Sequence, residues 1–327
     1  MPVSQLVDRH GRVHRDLRVS LTDRCSLRCT YCMPAEGLPW LPAPELLSTP
    51  ELVRLVRVAI ALGITEVRLT GGEPLLRPDV VSVVAQLAGA AELSVTTNGL
   101  VLPRLAPALG AAGLTRVNIS MDTLRPDRFL AMTRRNRLGD VLAGIDAALA
   151  AGLQPVKLNT VLMRGVNDDE AVDLLRFALG KGVHLRFIEQ MPLDAQHAWR
   201  REEMVTADEI LAELSSVFLL EPVAGRGSAP AEQWYVNGTE QTVGVIGSVT
   251  RPFCGNCDRL RLTADGQLRT CLFARTETDL RGPLRAGASD ADLADLMRLA
   301  VLGKQPGHGI DEPTFLQPPR PMSAIGG

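Results

Sequence analysis

Six cysteines in two tight groups carry the most specific chemistry in this sequence. Cys25, Cys29 and Cys32 fall within eight residues of one another, and Cys254, Cys257 and Cys271 form a second trio near the other end. About 220 cysteine-free residues lie between them, which is not the dense framework of a small disulfide-stapled domain. Three thiolates on one short loop can hold three irons of a 4Fe–4S cube and leave the fourth iron without a protein ligand. A structural zinc ion would recruit a fourth Cys or His. The nearest histidines, His10 and His14, precede the strand that leads into the first loop, and no histidine lies between Cys254 and Cys271. Two open clusters therefore suit the spacing better than two zinc sites or incidental buried thiols.

Basic residues form the second notable pattern. Arg18, Arg68 and Lys157 stand inside otherwise apolar strand-like segments. A buried charge is costly unless paired, so carboxylates or a polyanionic ligand must meet these three. Arg259 and Arg261 alternate along a short strand just after Cys257, so they share one face. The planar guanidinium fork suits phosphate oxygens. From spacing alone, a solvated basic edge strand would serve equally well.

The first trio, with Tyr31 before its last cysteine, resembles the signature loop of the radical S-adenosylmethionine superfamily. Thr70-Gly71-Gly72-Glu73-Pro74, one strand later, resembles that superfamily's Gly-Gly-Glu motif; in isolation it would be a routine strand-to-helix turn. The second trio, with Asp16-Leu-Arg-Val-Ser-Leu-Thr-Asp23, Arg186-Phe-Ile-Glu-Gln-Met191 and the terminal Gly326-Gly327, resembles the GTP 3′,8-cyclase family of molybdenum cofactor biosynthesis. This resemblance runs from about Gly11 to the last residue.

The resemblance implies two 4Fe–4S clusters, S-adenosylmethionine and GTP. Cys25, Cys29 and Cys32 would hold the catalytic cluster, with Tyr31, Gly72, Glu73, Ser120 and Met191 around S-adenosylmethionine. Cys254, Cys257 and Cys271 would hold the cluster that meets the purine. Arg18, Arg68, Thr96, Lys157, Arg186, Arg259, Leu260 and Arg261 would contact GTP. Glu66 departs from some relatives, which carry a basic residue two positions before Arg68. The implied reaction is a lyase-type radical cyclisation. A hydrogen leaves C3′ of GTP, C3′ bonds to C8, and reduction gives (8S)-3′,8-cyclo-7,8-dihydroguanosine 5′-triphosphate. A reducing electron donor feeds it, cyclic pyranopterin monophosphate synthase consumes the product, and a homodimer is allowed. The glycine tail resembles one that enters the active site.

Such residues need a scaffold, and the chain alternates strand and helix patterns for its first two-thirds. Strands are expected over 16–21, 66–70, 92–96, 116–120, 154–162 and 184–188. Helices are expected from Ser48 to about Gly63 and over 78–88, 100–112, 138–151 and 168–179. Ser48, Pro50 and Glu51 supply an N-cap, a first-turn proline and a capping-box partner. Short apolar strands in this order predict a parallel sheet with right-handed crossovers. Six units give an α/β fold, an incomplete (βα)6 TIM-like barrel, with ligands at the strand C-termini, where Thr96, Ser120 and Met191 lie. After a helix over 207–214 the texture becomes richer in glycine and proline. The expected division is a radical S-adenosylmethionine partial barrel over 1–220 and a smaller α+β module over 221–327. A strand within 242–249, another over 259–263 and a helix over 290–301 are expected there.

Composition narrows the partners. Apolar residues make up 46% and charged residues 22% of the chain, as in ordinary globular proteins. A net charge of −2 offers no basic field for nucleic acid, and 4% aromatics offer few stacking platforms. No apolar run is long enough for a membrane span, and Met1 to Asp16 lacks a secretory h-region. A reducing cytoplasmic location follows, with no nucleic-acid or membrane partner. Two rivals remain at this point: a peptide-modifying radical enzyme with one auxiliary cluster, and an iron–sulfur or zinc sensor module.

Overall fold

The computed structural model describes residues 5–326. The strands β1 (Asp16–Ser20), β2 (Glu66–Thr70), β3 (Glu92–Thr97), β4 (Arg116–Ser120), β5 (Val156–Val161) and β6 (His184–Ile188) pair in sequence order, all parallel. Helices α1 (Thr49–Ala61), α2 (Val80–Leu87), α3 (Leu102–Ala111), α4 (Pro126–Thr133), α5 (Leu138–Ala150) and α6 (Ala171–Lys181) make the crossovers. The reading of the first helix holds in detail. Ser48 accepts from the Glu51 amide, Glu51 reaches back to the Ser48 amide, and Gly63 follows the helix at φ +100°.

The six-strand row is extended at both ends by strands from the second cysteine region. After α7 (Ala207–Ser215) come β7 (Leu220–Pro222), β8 (Glu232–Val236), β9 (Thr242–Ile246), β10 (Arg259–Leu262), β11 (Gln267–Arg269) and β12 (Thr278–Asp279). Then follow α8 (Arg281–Arg285), α9 (Asp290–Leu302) and α10 (Met322–Ile325). Strand β9 pairs parallel with β6, and β10 pairs parallel with β1. The remaining strands continue each edge as antiparallel hairpins, giving one sheet ordered β12-β11-β10-β1-β2-β3-β4-β5-β6-β9-β8-β7. Among the described residues no helix is long and apolar enough to cross a membrane.

Alternation along each strand sets the two sides of this sheet. Leu17 and Val19 of β1, Val67 and Leu69 of β2, and Leu158 of β5 are buried in the main apolar cluster, which the crossover helices complete. The intervening positions, Arg18, Arg68, Thr96, Asn159, Arg186 and Arg261, line a chamber on the other side. Register places Arg18 beside both Arg68 and Arg261. A small second cluster of Leu193, Phe273 and Ile325 ties the chain's end to the loop that carries Cys271.

Candidate functional site

The first cysteine loop leaves β1 and is clamped from two sides. The Gly72 amide donates to Thr22 O at 2.8 Å and the Glu73 amide to Arg24 O at 2.7 Å. A Cβ on Gly72 would sit 2.4 Å from Arg24 O, and one on Gly71 would sit 2.4 Å from Thr22 O. Only glycine lets these two backbones approach so closely. On the other side, the loop amides of Arg28 and Thr30 donate to the last carbonyls of α4, Thr133 O and Met132 O. Arg134, in the left-handed conformation that ends α4, donates to Arg28 O and Met33 O.

Glu73 is buried beneath this loop. Its carboxylate accepts from Thr97 Oγ1 at 2.7 Å, the Asn98 amide at 2.7 Å and the Leu75 amide at 3.0 Å. Burial raises its pKa to about 6 even so. Its observed work is to join the Gly-Gly turn to the end of β3. Cys25, Cys29 and Cys32 line a hollow with Gly71, Gly72, Asn98 and Ser323. Burial pushes all three thiols up, Cys32 to about 12, and the Cys29 thiol is further raised by the charges of Asp122 and its two neighbours.

This hollow shares a wall with the larger chamber: Tyr31, Thr96, Ser120, Asp122 and Met322 border both. Tyr31 Oη donates to Asp122 Oδ2 at 2.7 Å, while Asp122 Oδ1 takes the Val161 amide at 2.9 Å. The chamber is strongly cationic. Arg18, Arg68, Arg186, Arg259 and Arg261 line it, and none of them forms an ion pair with a carboxylate among the described residues. Arg18 is half-buried, and its Nε is buried without a hydrogen-bond partner. Burial, then the charges of Arg261 and Arg68, pushes its pKa well below the usual guanidinium range. Burial and a neighbouring arginine likewise bring Arg186 and Arg261 to about 10. Guanidiniums remain charged in proteins, so these directions register cations crowded together and only partly offset by Asp16. Gly244 makes room for one of them, since a Cβ there would lie 3.2 Å from Arg186 Cγ.

Cys254, Cys257 and Cys271 line the far side of the same chamber. Arg269, the largest fully buried side chain, organises the Cys271 loop by pairing with Glu277 and donating to Ala274 O. Arg259 stacks on Phe253, 4.4 Å from the ring centroid, and donates from Nη2 to Cys257 Sγ at 3.2 Å. Burial raises the Cys257 thiol, but the charges of Arg259 and Lys304 outweigh it and bring the pKa down to about 7. The donor sets fit iron–sulfur clusters. All six cysteines are free of disulfides, and each trio lines a cavity wall that a small molecule can share. Among the described residues no group of His, Cys, Asp or Glu converges as a single-ion site.

The chamber gathers Tyr31, Arg18, Arg68, Thr96, Ser120, Arg186, Met191, Arg259 and Arg261 from the expected site residues. Gly72 lines the first hollow. Lys157 lies on the face of β5 that also carries Asn159 and Val161, below the chamber wall. Burial, then the charges of Arg186, Arg116 and Arg68, lowers it to about 7. Leu260 is buried in the core on the opposite face of β10 from its two arginine neighbours. Glu66 is paired with Arg116 at 3.3 Å. Gly326 reaches the chamber's edge: its carbonyl accepts from Arg261 Nη1 at 2.6 Å, and a Cβ there would lie 2.5 Å from Thr70 Oγ1. Gly327 lies outside the described residues. The sequence reading passed over Asp122, Asn159, Phe253, His308 and Met322. Asp122, two residues beyond β4, carried a usable signal because strand C-termini form the mouth of such a fold.

Comparison with known proteins agrees with this arrangement. Residues 19–178 match the Radical SAM superfamily and residues 183–310 match Molybdenum Cofactor Synthesis C. A Streptomyces coelicolor protein named GTP 3′,8-cyclase is 62% identical over 98% of this chain and 96% of its own length. A Corynebacterium glutamicum protein of the same name is 55% identical over 98% of this chain and 89% of its own. Among solved structures, Streptococcus suis SuiB shares the fold at a TM-score of 0.64 and 13% identity, covering 92% of this chain and 68% of SuiB. SuiB bound to S-adenosylmethionine aligns at 0.61 and 13% identity, with the same coverage of both chains.

Proposed function

The chain belongs to the GTP 3′,8-cyclase family, and from that footing we propose that the two cavities hold the two halves of this reaction. The activity is conversion of GTP to (8S)-3′,8-cyclo-7,8-dihydroguanosine 5′-triphosphate in molybdenum cofactor biosynthesis. The observation that carries the assignment of the site is the arginine-lined chamber. It contains cations without carboxylate partners, beside one cysteine trio and one wall away from the other.

Cys25, Cys29 and Cys32 hold one 4Fe–4S cluster, and Cys254, Cys257 and Cys271 hold a second. When bound, the first supplies one-electron cleavage of S-adenosylmethionine, fed by a reducing electron donor. The chain's own residues bind, orient and exclude. Gly72 brings the turn after β2 close to the cysteine loop, Tyr31 and Ser120 border both cavities, and Met191 lines the chamber. Arg18, Arg68, Arg186, Arg259 and Arg261 grip the triphosphate with paired, charge-assisted hydrogen bonds. Thr96, which borders both cavities, contacts the nucleoside. Lys157 adds positive charge from beneath, and Leu260 sets the strand face that aims its neighbours. Holding C3′ of the ribose against a single reactive centre is the main catalytic contribution of such a site.

Up to about residue 220 the described chain carries the first cluster as a partial barrel, and from residue 221 it carries the second, with Gly326 against Arg261 at the chamber's edge. The protein works in a reducing cytoplasm and passes its product to cyclic pyranopterin monophosphate synthase, and a homodimer is compatible with this reading. The test is anaerobic incubation of reconstituted protein with GTP, S-adenosylmethionine and dithionite, followed by mass spectrometry and NMR of the product. A 3′,8-cyclised nucleotide is expected. Cleavage of S-adenosylmethionine that leaves GTP unchanged would overturn the assignment.

A further inference from the structure

Behind the second cysteine trio lies a buried polar chain to which the reading above assigns no role. Lys304 follows α9, is 4% exposed, and turns its ammonium toward the loop between Cys254 and β10. Its Nζ is 2.8 Å from Arg259 O, 3.1 Å from Cys257 O and 3.7 Å from Cys257 Sγ. It also lies 3.5 Å from Nδ1 of the fully buried His14. The other ring nitrogen, Nε2, is 3.1 Å from Asp8 Oδ2. Asp8 is held as an acceptor by Arg12 Nε at 2.6 Å and by the His10 amide at 2.8 Å. A carboxylate at Nε2 requires a proton there, so Nδ1 presents a bare lone pair to the ammonium.

The same N-terminal hairpin fastens the segment that carries the lysine. Arg12 Nη1 donates to Cys254 O at 2.7 Å and Pro306 O at 3.1 Å, and Nη2 donates to Gln305 O at 2.7 Å. One guanidinium thus joins a cysteine of the trio to the strap after α9. A neutral amide could satisfy the two carbonyls, yet the position holds a cation within reach of a thiolate sulfur. Burying that charge is expensive unless something nearby uses it.

We propose that Lys304 is a positioning residue for the second cluster, oriented by Asp8 and His14, whose charge and N–H donation at Cys257 Sγ stabilise the reduced state. The inference rests on the reading that Cys254, Cys257 and Cys271 hold a 4Fe–4S cluster. Hydrogen bonds to cluster sulfurs and nearby positive charge favour the added electron, and so raise the reduction potential. Arg259 makes one such contact from the chamber side. Lys304 makes the other from behind, where a bound nucleotide cannot displace it.

The test uses the full-length chain carrying Cys25→Ala, Cys29→Ala and Cys32→Ala, reconstituted anaerobically with ferrous iron and sulfide. Retention of one cluster's iron supports the underlying reading, and failure to retain any iron overturns that reading and the proposal with it. The midpoint potential is then followed by EPR in a mediated dithionite titration. Lys304→Met is expected to move it to a more negative value, and Lys304→Gln, which keeps N–H donation without charge, to an intermediate one. Should Lys304→Met fail to fold, the Lys304→Gln shift decides. An unchanged potential in a cluster-loaded variant would overturn the proposal, since a merely structural lysine would alter cluster retention and leave the potential alone.

Discussion

At the scale of single residues, the chamber's arginines are poorly suited to stability and well suited to an anion. Arg18 is half-buried beside Arg68 and Arg261, and its buried Nε is unpartnered. Replacing it with methionine keeps most of the volume and removes the repulsion. Arg18→Met should therefore melt no lower than the parent while binding GTP about 10- to 100-fold more weakly, the scale of losing charged hydrogen bonds. Calorimetric titration and thermal unfolding on one preparation check both halves. Undiminished affinity would remove Arg18 from the site. Lys157 makes a pH-dependent prediction. Burial and the charges of Arg186, Arg116 and Arg68 hold it at about 7, whereas a triphosphate favours the charged amine. Above that pH, binding must take up a proton, so affinity falls as pH rises, by up to about tenfold per unit. Titrations in buffers of different ionisation enthalpy should detect this uptake, and Lys157→Met should abolish it.

At the scale of elements, the first cysteine loop has little regular structure and borrows its shape from its neighbours. The turn after β2 grips it through Gly72 and Glu73, and the end of α4 grips it through two carbonyls and Arg134. Gly72→Ala would drive a methyl to 2.4 Å from Arg24 O, where the contacting atom is backbone and cannot swing aside. The expected cost is about 1–3 kcal/mol of strain, typical of overpacking, together with reduced iron retention at the first trio. Chelator-driven iron release and the melting temperature measure these, and a variant matching the parent in both would show that the close approach is not required. The Gly-Gly-Glu pattern was legible in the sequence because its glycines are conspicuous. Its use of Glu73 was not, because Thr97 and Asn98 become its partners only once β3 lies beside β2. Helix α4 escaped notice because its eight residues, with Pro126 first and mostly polar neighbours, carry a short and weak apolar stripe.

At the scale of the whole molecule, sequence periodicity displayed the run from β1 to β6 but not its completion. Between β6 and β9 lie a long loop, α7 and the strands β7 and β8, and between β9 and β10 an irregular stretch, so no simple strand–helix rhythm announces that β9 and β10 flank the barrel row. Pairing of β10 with β1 carries Arg259 and Arg261 to Arg18, and the second cysteine trio follows them to the chamber. Segments near both ends of the described chain thereby reach this region. Arg12 bonds to Cys254 O, and Gly326 rests between Arg261 and Thr70. This closure separates the two trios while leaving a shared wall of Tyr31, Thr96, Ser120, Asp122 and Met322, and a division of labour follows. Cys25→Ala removes a thiol from the hollow on one side and should abolish S-adenosylmethionine cleavage while leaving GTP affinity largely intact. Cys254→Ala alters only the far side of the chamber, so cleavage should persist while GTP binding weakens and cyclised product is lost. Anaerobic assays for 5′-deoxyadenosine, nucleotide binding and cyclised nucleotide, run on both variants, separate these outcomes. Equal loss of cleavage in the two would mean that the sheet couples both trios into one cooperative site.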